Sequence, residues 1–397
     1  MASPSTSALS SAGGGSPSGF VRRWLPWILL IAAALILPSV LPPFRLNLLG
    51  RFLSLGIVAL GIDLIWGFTG MLSLGQGIFF ALGGYALGMH LQLTSLQPGQ
   101  LPEFFGLYGV KELPAFWQPF NSAVFTFFCL WILPALVAGV LGFLVFRNRI
   151  KGVYFSILTQ AALLVFFNFF NGQQKLINGT NGLKTDTARI FGALVGSDAM
   201  QRNLFWVTLL LVVLSWFLCR WLTRGRFGDA LIAIRDDEPR LRFTGYNPTA
   251  YKTLVFAIAG AMAGVSGALY TVQSGIISPQ YMAVPFSIEM VIWVAVGGRG
   301  TLIGAVLGAV LINYAKSLIS EQLPETWLFI QGGLFLLVVT ALPDGLVGWW
   351  TQGGPARILA MLGIAPLAPT YPEIDFDPAV QAEAEAVQSD PTPGGSP

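Results

Sequence analysis

The chain has 397 residues, 54% of them apolar or aromatic, while Asp, Glu, Lys and Arg together make only 10%. Soluble domains carry about 25% charged residues, so this composition excludes a soluble protein. The net charge of +3 comes from 22 basic and 19 acidic residues. The basic ones gather in a few short segments rather than on one face, which argues against nucleic-acid binding.

Residues 1–21 are rich in Ser, Gly, Ala and Pro, bury too little surface to order themselves, and read as a disordered cytoplasmic tail. Arg22 and Arg23 lead an apolar run that passes into Pro42-Pro43 with no small-x-small cleavage site, so it reads as an uncleaved membrane helix. A span of the roughly 30 Å hydrocarbon layer needs about 20 helical residues. On that measure helices fall near 24–41, 48–66, 77–95, 121–146, 153–171, 203–221, 253–273, 286–297, 301–320 and 326–343, the eighth being short. The expected fold is an all-α integral membrane protein, a polytopic bundle of about ten transmembrane helices occupying residues 22–350. With both termini cytoplasmic, fourteen basic residues lie inside and seven outside, with Lys316 within a span, as the positive-inside rule requires. Residues 351–397, with Glu373, Asp375, Asp377, Glu383, Glu385 and Asp390, read as a disordered acidic tail.

Several chemistries have no residues to carry them. There is no G-x-x-x-x-G-K-[ST] nucleotide loop, no regular arginine series for voltage sensing and no T-V-G-Y-G filter. Cys129 and Cys219 lie far apart in apolar stretches and build neither a disulfide framework nor a metal site. His90 reads as a lone imidazole packed in a helix. No cofactor and no catalytic cluster is expected.

Between residues 222 and 252 the sequence writes two short helices, of about two turns each. Gly228-Asp229 opens the first, which carries Leu231 and Ile234; Asp236 or Asp237 caps the second, with Pro239 in its first turn and Leu241 along it. Gly245 supplies a left-handed end, and Asn247-Pro248 caps the next span. Apolar Leu231, Ile234, Leu241 and Phe243 among charges mark a docking surface for a soluble partner, against the alternative of a solvated connector.

These residues are recognisable. The stretch Arg226 to Glu238, Gly245 and Tyr251 to Phe256 resembles the coupling loop of ABC-transporter permeases of the branched-chain amino acid and urea family. Gly70 to Gln76, Asn178 to Leu183 and Glu289 to Thr301 match the same family in the same order. Phe170 to Gln174 and Arg235 to Tyr246 look most like the urea-type members. One departure is that Glu238 is followed by Pro239-Arg240, where many permeases carry Glu-Ala-Ala ahead of the loop glycine.

The resemblance implies a non-catalytic permease subunit in the inner membrane. Its partners are a second membrane permease subunit, two cytoplasmic ABC ATPase subunits and an extracytoplasmic solute-binding protein. Asp229, Leu231, Ile234, Arg235, Glu238, Leu241 and Gly245 would seat in an ATPase groove, and ATP would drive alternating access. The resemblance points to urea as the solute, with a branched-chain or other small amino acid as the alternative. A stand-alone channel or secondary transporter is the competing class.

Two further patterns bear on a pathway. Gly67, Gly70, Gly75 and Gly77, beside Ser73 and Gln76, break a helix and either line a wet cavity or pack helices closely. Gly260, Gly264 and Gly267 favour packing. Asp63 and Glu289 are the acids within spans; with Ser73, Gln76 and Asn181 they are candidate pathway-lining residues, structural pairing being the alternative. Arg299 lies about 15 Å along a helix from Glu289, so each pairs with something else. Few basic groups occupy the spans, Lys316 being the interior one, which leans towards a neutral solute.

Overall fold

A computed structural model describes residues 38, 40–97, 100–190, 192–322, 326–341 and 345–351. The first expected helix, 24–41, lies almost wholly outside the described residues, as do both expected tails apart from Thr351. Two compact units divide the chain after Trp349; the first is the bundle described below.

Two 27-residue helices cross at its centre. Helix α1, Pro43–Thr69, and helix α7, Pro248–Ser274, each start on a proline, whose missing N–H is harmless in a first turn, and each ends at a left-handed glycine, Gly70 (φ 72°) and Gly275 (φ 77°). They run antiparallel, with the Ser266 hydroxyl donating to the Ser54 carbonyl at 2.6 Å and Gly61 packed on Ala259. Both contacts lie along one antiparallel crossing of the two helices. After each of them comes a segment that is not α-helical and then a shorter helix: α2, Gln76–Thr94, after α1, and α8, Val284–Gly297, after α7.

Around this centre stand α3 (Ala123–Arg147), α4 (Val153–Gly172), α5 (Asp198–Leu222), α9 (Ile303–Gln322) and α10 (Trp327–Ala341). They leave apolar side chains such as Phe128, Leu136, Val165, Phe217 and Leu311 exposed, which suits hydrocarbon rather than water. Among the described residues six helices, α1, α3, α4, α5, α7 and α9, are long and apolar enough to cross a membrane. Helix α2, with 19 residues, and the shorter α8 and α10 lie among them. Helices α1 and α7 overrun the expected 48–66 and 253–273 at both ends, since Pro and Gly caps extend each beyond its apolar run.

The second glycine pattern is a packing seam. A methyl group on Gly83 would collide with the Gly264 carbonyl, and one on Gly267 with the Phe80 carbonyl, so α2 and α7 touch backbone to backbone. Pro134 and Ala138 of α3 press on the opposite side, against Gly264 and Gly260.

Helix α6, Arg226–Phe243, and the segment 298–302 mark one end of the bundle, here the loop end. At the far end, strand β1 (Leu183–Lys184) pairs antiparallel with β4 (Ile276–Ile277), and β2 (Arg189–Ile190) with β3 (Ala193–Leu194). His90 Nδ1 lies 2.6 Å from the Phe120 carbonyl, a structural contact. From Gly275 the chain descends along α2 as a short extended stretch and one 3-10 turn, Pro279–Met282, with Ile277 beside Gly84 and the Tyr281 carbonyl beside Gly77. Such backbone is tolerated at membrane depth only when protein satisfies it. Here Thr185 N–H donates to the Gly275 carbonyl at 2.8 Å and the Ser274 hydroxyl to the Ile276 carbonyl at 2.9 Å.

Candidate functional site

The loop 222–252 folds as two helical pieces joined at Asp237, whose backbone (φ −153°, ψ 87°) is not helical. The Asp237 carboxylate accepts from Arg240 N–H at 3.1 Å, capping the second piece, and Pro239 falls in the first turn, where no N–H is needed. Gly245 has φ 86°, and the Asn247 side chain accepts from Thr249 N–H at 3.1 Å at the start of α7. The first piece runs for about three turns rather than two.

The apolar side chains do not point where the docking argument put them. Leu231 is fully buried and Ile234 is 5% exposed, both packed on the bundle, and Leu241 is half-buried; Phe243, at 91%, is the exposed one. The reason is amphipathicity: Leu231 and Ile234, three residues apart, share one face, and the nearest apolar surface is the bundle itself. Outward lie Asp229, Asp236, Asp237, Arg240 and Phe243. Arg235 spans both sides, bonding Asp236 at 3.0 Å and the Gly67 carbonyl at 3.1 Å in the last turn of α1, where the helix dipole favours a cation.

Glu238 also turns inward. It is 6% exposed, with Lys252 of α7 at 2.5 Å, Arg242 at 2.7 Å and Lys151 at 3.2 Å. Burial alone would raise its pKa, but the hydrogen bonds and charges of Lys252, Arg242 and Lys151 together hold it down at about 2. One carboxylate thus ties the kink to α7 and to the connection between α3 and α4. Neither lysine was singled out from the sequence; a Lys inside the first turns of an apolar span is the signal that would have found Lys252.

The candidate pathway residues separate. Asp63 is buried and accepts from Gly300 N–H at 2.6 Å and Leu302 N–H at 2.8 Å, anchoring the turn before α9. Both oxygens are taken up by backbone, an anchoring role that accords with the structural alternative rather than with pathway lining. Ser73 is buried and accepts from Gly75 N–H at 3.3 Å. The groups freed by the break find α4: the Ser156 hydroxyl donates to the Leu72 carbonyl at 2.6 Å and Leu74 N–H to the Thr159 hydroxyl at 3.1 Å. Gln76 is 1% exposed, and its amide atoms, like the Ser287 hydroxyl, have no hydrogen-bond partner among the described residues. Asn181 is exposed at the far end, away from the rest.

Glu289 is paired. Lys316 Nζ donates to both its carboxylate oxygens at 2.9 Å, joining α8 to α9. Arg299 instead lies over the Trp66 ring, 5.4 Å from its centre. A separate cavity of about 280 Å³ is lined by Leu82, Tyr85, Trp117, Phe120, Leu133 and Phe170 among others. With no charged group in its wall it offers nothing to an ionic solute.

A multi-pass helical bundle, with a glycine-rich break buried inside it and a kinked helical loop at one end, has the architecture of a membrane permease. The family model for the permease component of branched-chain amino acid transport systems matches residues 44–339. The chain belongs to that family of ABC-importer membrane subunits. Among its relatives, the high-affinity branched-chain amino acid transport system permease protein LivM of Salmonella typhimurium is 28% identical over 312 residues, 73% of this chain and 67% of that protein. LivM of Escherichia coli is 29% identical over 315 residues with the same coverage. The permease protein LivH of Escherichia coli is 24% identical over 298 residues, 74% of this chain and 90% of that one. No solved structure matches the chain.

Proposed function

We propose that this permease subunit carries branched-chain amino acids inward, in a complex with a second permease subunit, two ATPase subunits and an extracytoplasmic binding protein. The observation that carries the reading is the family match over residues 44–339, and the LivM and LivH relatives support the substrate. The urea reading rested on short stretches of wording at residues 170–174 and 235–246 and has no such support. On this reading the loop end is cytoplasmic and the chain performs no chemistry; the ATPases do. Their closure pushes on the exposed face of α6, around Asp236, Arg240 and Phe243. Glu238 and Arg235 pass the displacement to α7 and to the end of α1. Uptake of labelled leucine and labelled urea in cells carrying all subunits, with and without this chain, tests the proposal. Leucine uptake that depends on the chain is expected; uptake of urea alone would overturn the substrate.

Gly245→Val is expected to uncouple transport. At φ 86° a β-branched residue is strained, although the space around the site is open, so the effect comes from the backbone and not from a clash. The purified complex should assemble and hydrolyse ATP while leucine uptake falls at least roughly tenfold, the equivalent of about 1.4 kcal/mol. Gly245→Asn, which tolerates the left-handed region, should retain most uptake. Normal transport by the Val variant would reduce the loop to a connector.

A further inference from the structure

Among the described residues the Glu289–Lys316 pair is placed unlike the other ion pairs, which sit at the loop end. Glu289 lies eight residues before the end of α8 and Lys316 thirteen after the start of α9, about 12 and 20 Å into a hydrocarbon layer about 30 Å thick. The Glu289 side chain is 6% exposed, yet that of Lys316 is 39% exposed. A cation in this position facing lipid is costly, and intramembrane charges face protein or a water-filled path. The face carrying Lys316 is therefore not a lipid face.

We propose that Glu289 and Lys316 line the path and take the charged ends of a zwitterionic amino acid in passage, Lys316 receiving its carboxylate and Glu289 its ammonium. This rests on the amino-acid reading above. The pair is neutral as a unit and so is the solute, so exchanging one ion pair for two leaves no net charge in the membrane. Direct donation from Nζ to both carboxylate oxygens holds the pair closed when no solute is present, and the exposed flank of Lys316 is the side from which a carboxylate arrives. The sequence leaned towards a neutral solute because few basic groups occupy the spans, Lys316 being the interior one. The structure brings Glu289 to it.

The test uses the whole complex reconstituted in vesicles with saturating leucine-loaded binding protein. Glu289→Gln with Lys316→Gln removes both charges and leaves neither orphaned. Leucine transport should fall at least roughly tenfold, as expected for losing charge-assisted contacts, with the complex intact by pull-down. Lys316→Arg, which keeps the charge, should retain most transport. Undiminished leucine transport by the doubly neutral complex would overturn the inference. So would loss of the assembled complex, which would make the pair a seam within the chain or against the second subunit. Failure of the unmodified complex to move leucine at all would instead overturn the amino-acid reading.

Discussion

Asp63→Leu should yield little stable protein. The carboxylate is the acceptor for two buried N–H groups, at Gly300 and Leu302, and an apolar side chain leaves both unsatisfied. Each orphaned donor costs about 1–3 kcal/mol, so about 2–6 kcal/mol is lost, comparable with the whole stability of many folds, about 5–15 kcal/mol. Asp63→Asn keeps one accepting oxygen and should be intermediate. Thermal unfolding of the detergent-solubilised chain, followed by the loss of monodisperse protein, measures the effect. A Leu variant melting with the wild type would show that the turn before α9 does not depend on Asp63.

Glu238→Ala is expected to free the loop from the bundle. It leaves Lys252, 5% exposed, without its anion and with Lys151 and Arg242 nearby, and breaking a buried pair costs about 3–5 kcal/mol. Limited proteolysis should cut within residues 226–243 sooner, and transport should be lost. Replacing both partners, Glu238→Leu with Lys252→Met, removes the orphaned charge and should restore protease resistance while leaving transport impaired. Full transport by that double variant would show that the cluster holds the loop without conveying its motion. The same carboxylate sets a pH response. Its folded pKa of about 2 lies below the ordinary 4.5, so its stabilising contribution is complete above about 4.5 and is lost as pH falls towards 2. Protease resistance of the loop should be flat from neutral pH down to about 5 and decline below it; a decline beginning near pH 7 would exclude Glu238 as the cause.

The helices, their caps and the loop's kink were legible in the sequence because each depends on a few consecutive residues. Apolar runs wrote the spans, Asp237 and Pro239 the kink, Asn247-Pro248 the start of α7, and Gly245 the left-handed turn. Gly260, Gly264 and Gly267 likewise announced a packing seam, because a small residue repeated on one face has few other uses. What the tertiary structure alone decided is which groups meet. Asp63 finds its donors 237 and 239 residues away, Arg235 its carbonyl 168 away, and Glu289 its lysine 27 away. No local pattern encodes such partners, since each charge carries the same signal whether it ends in solvent, in a path or in a pair. The same limit explains Leu231 and Ile234, whose spacing defines an apolar face of a helix but not whether another protein or the chain's own bundle covers it. Only the three-dimensional fold placed that bundle within reach and sent both side chains inward.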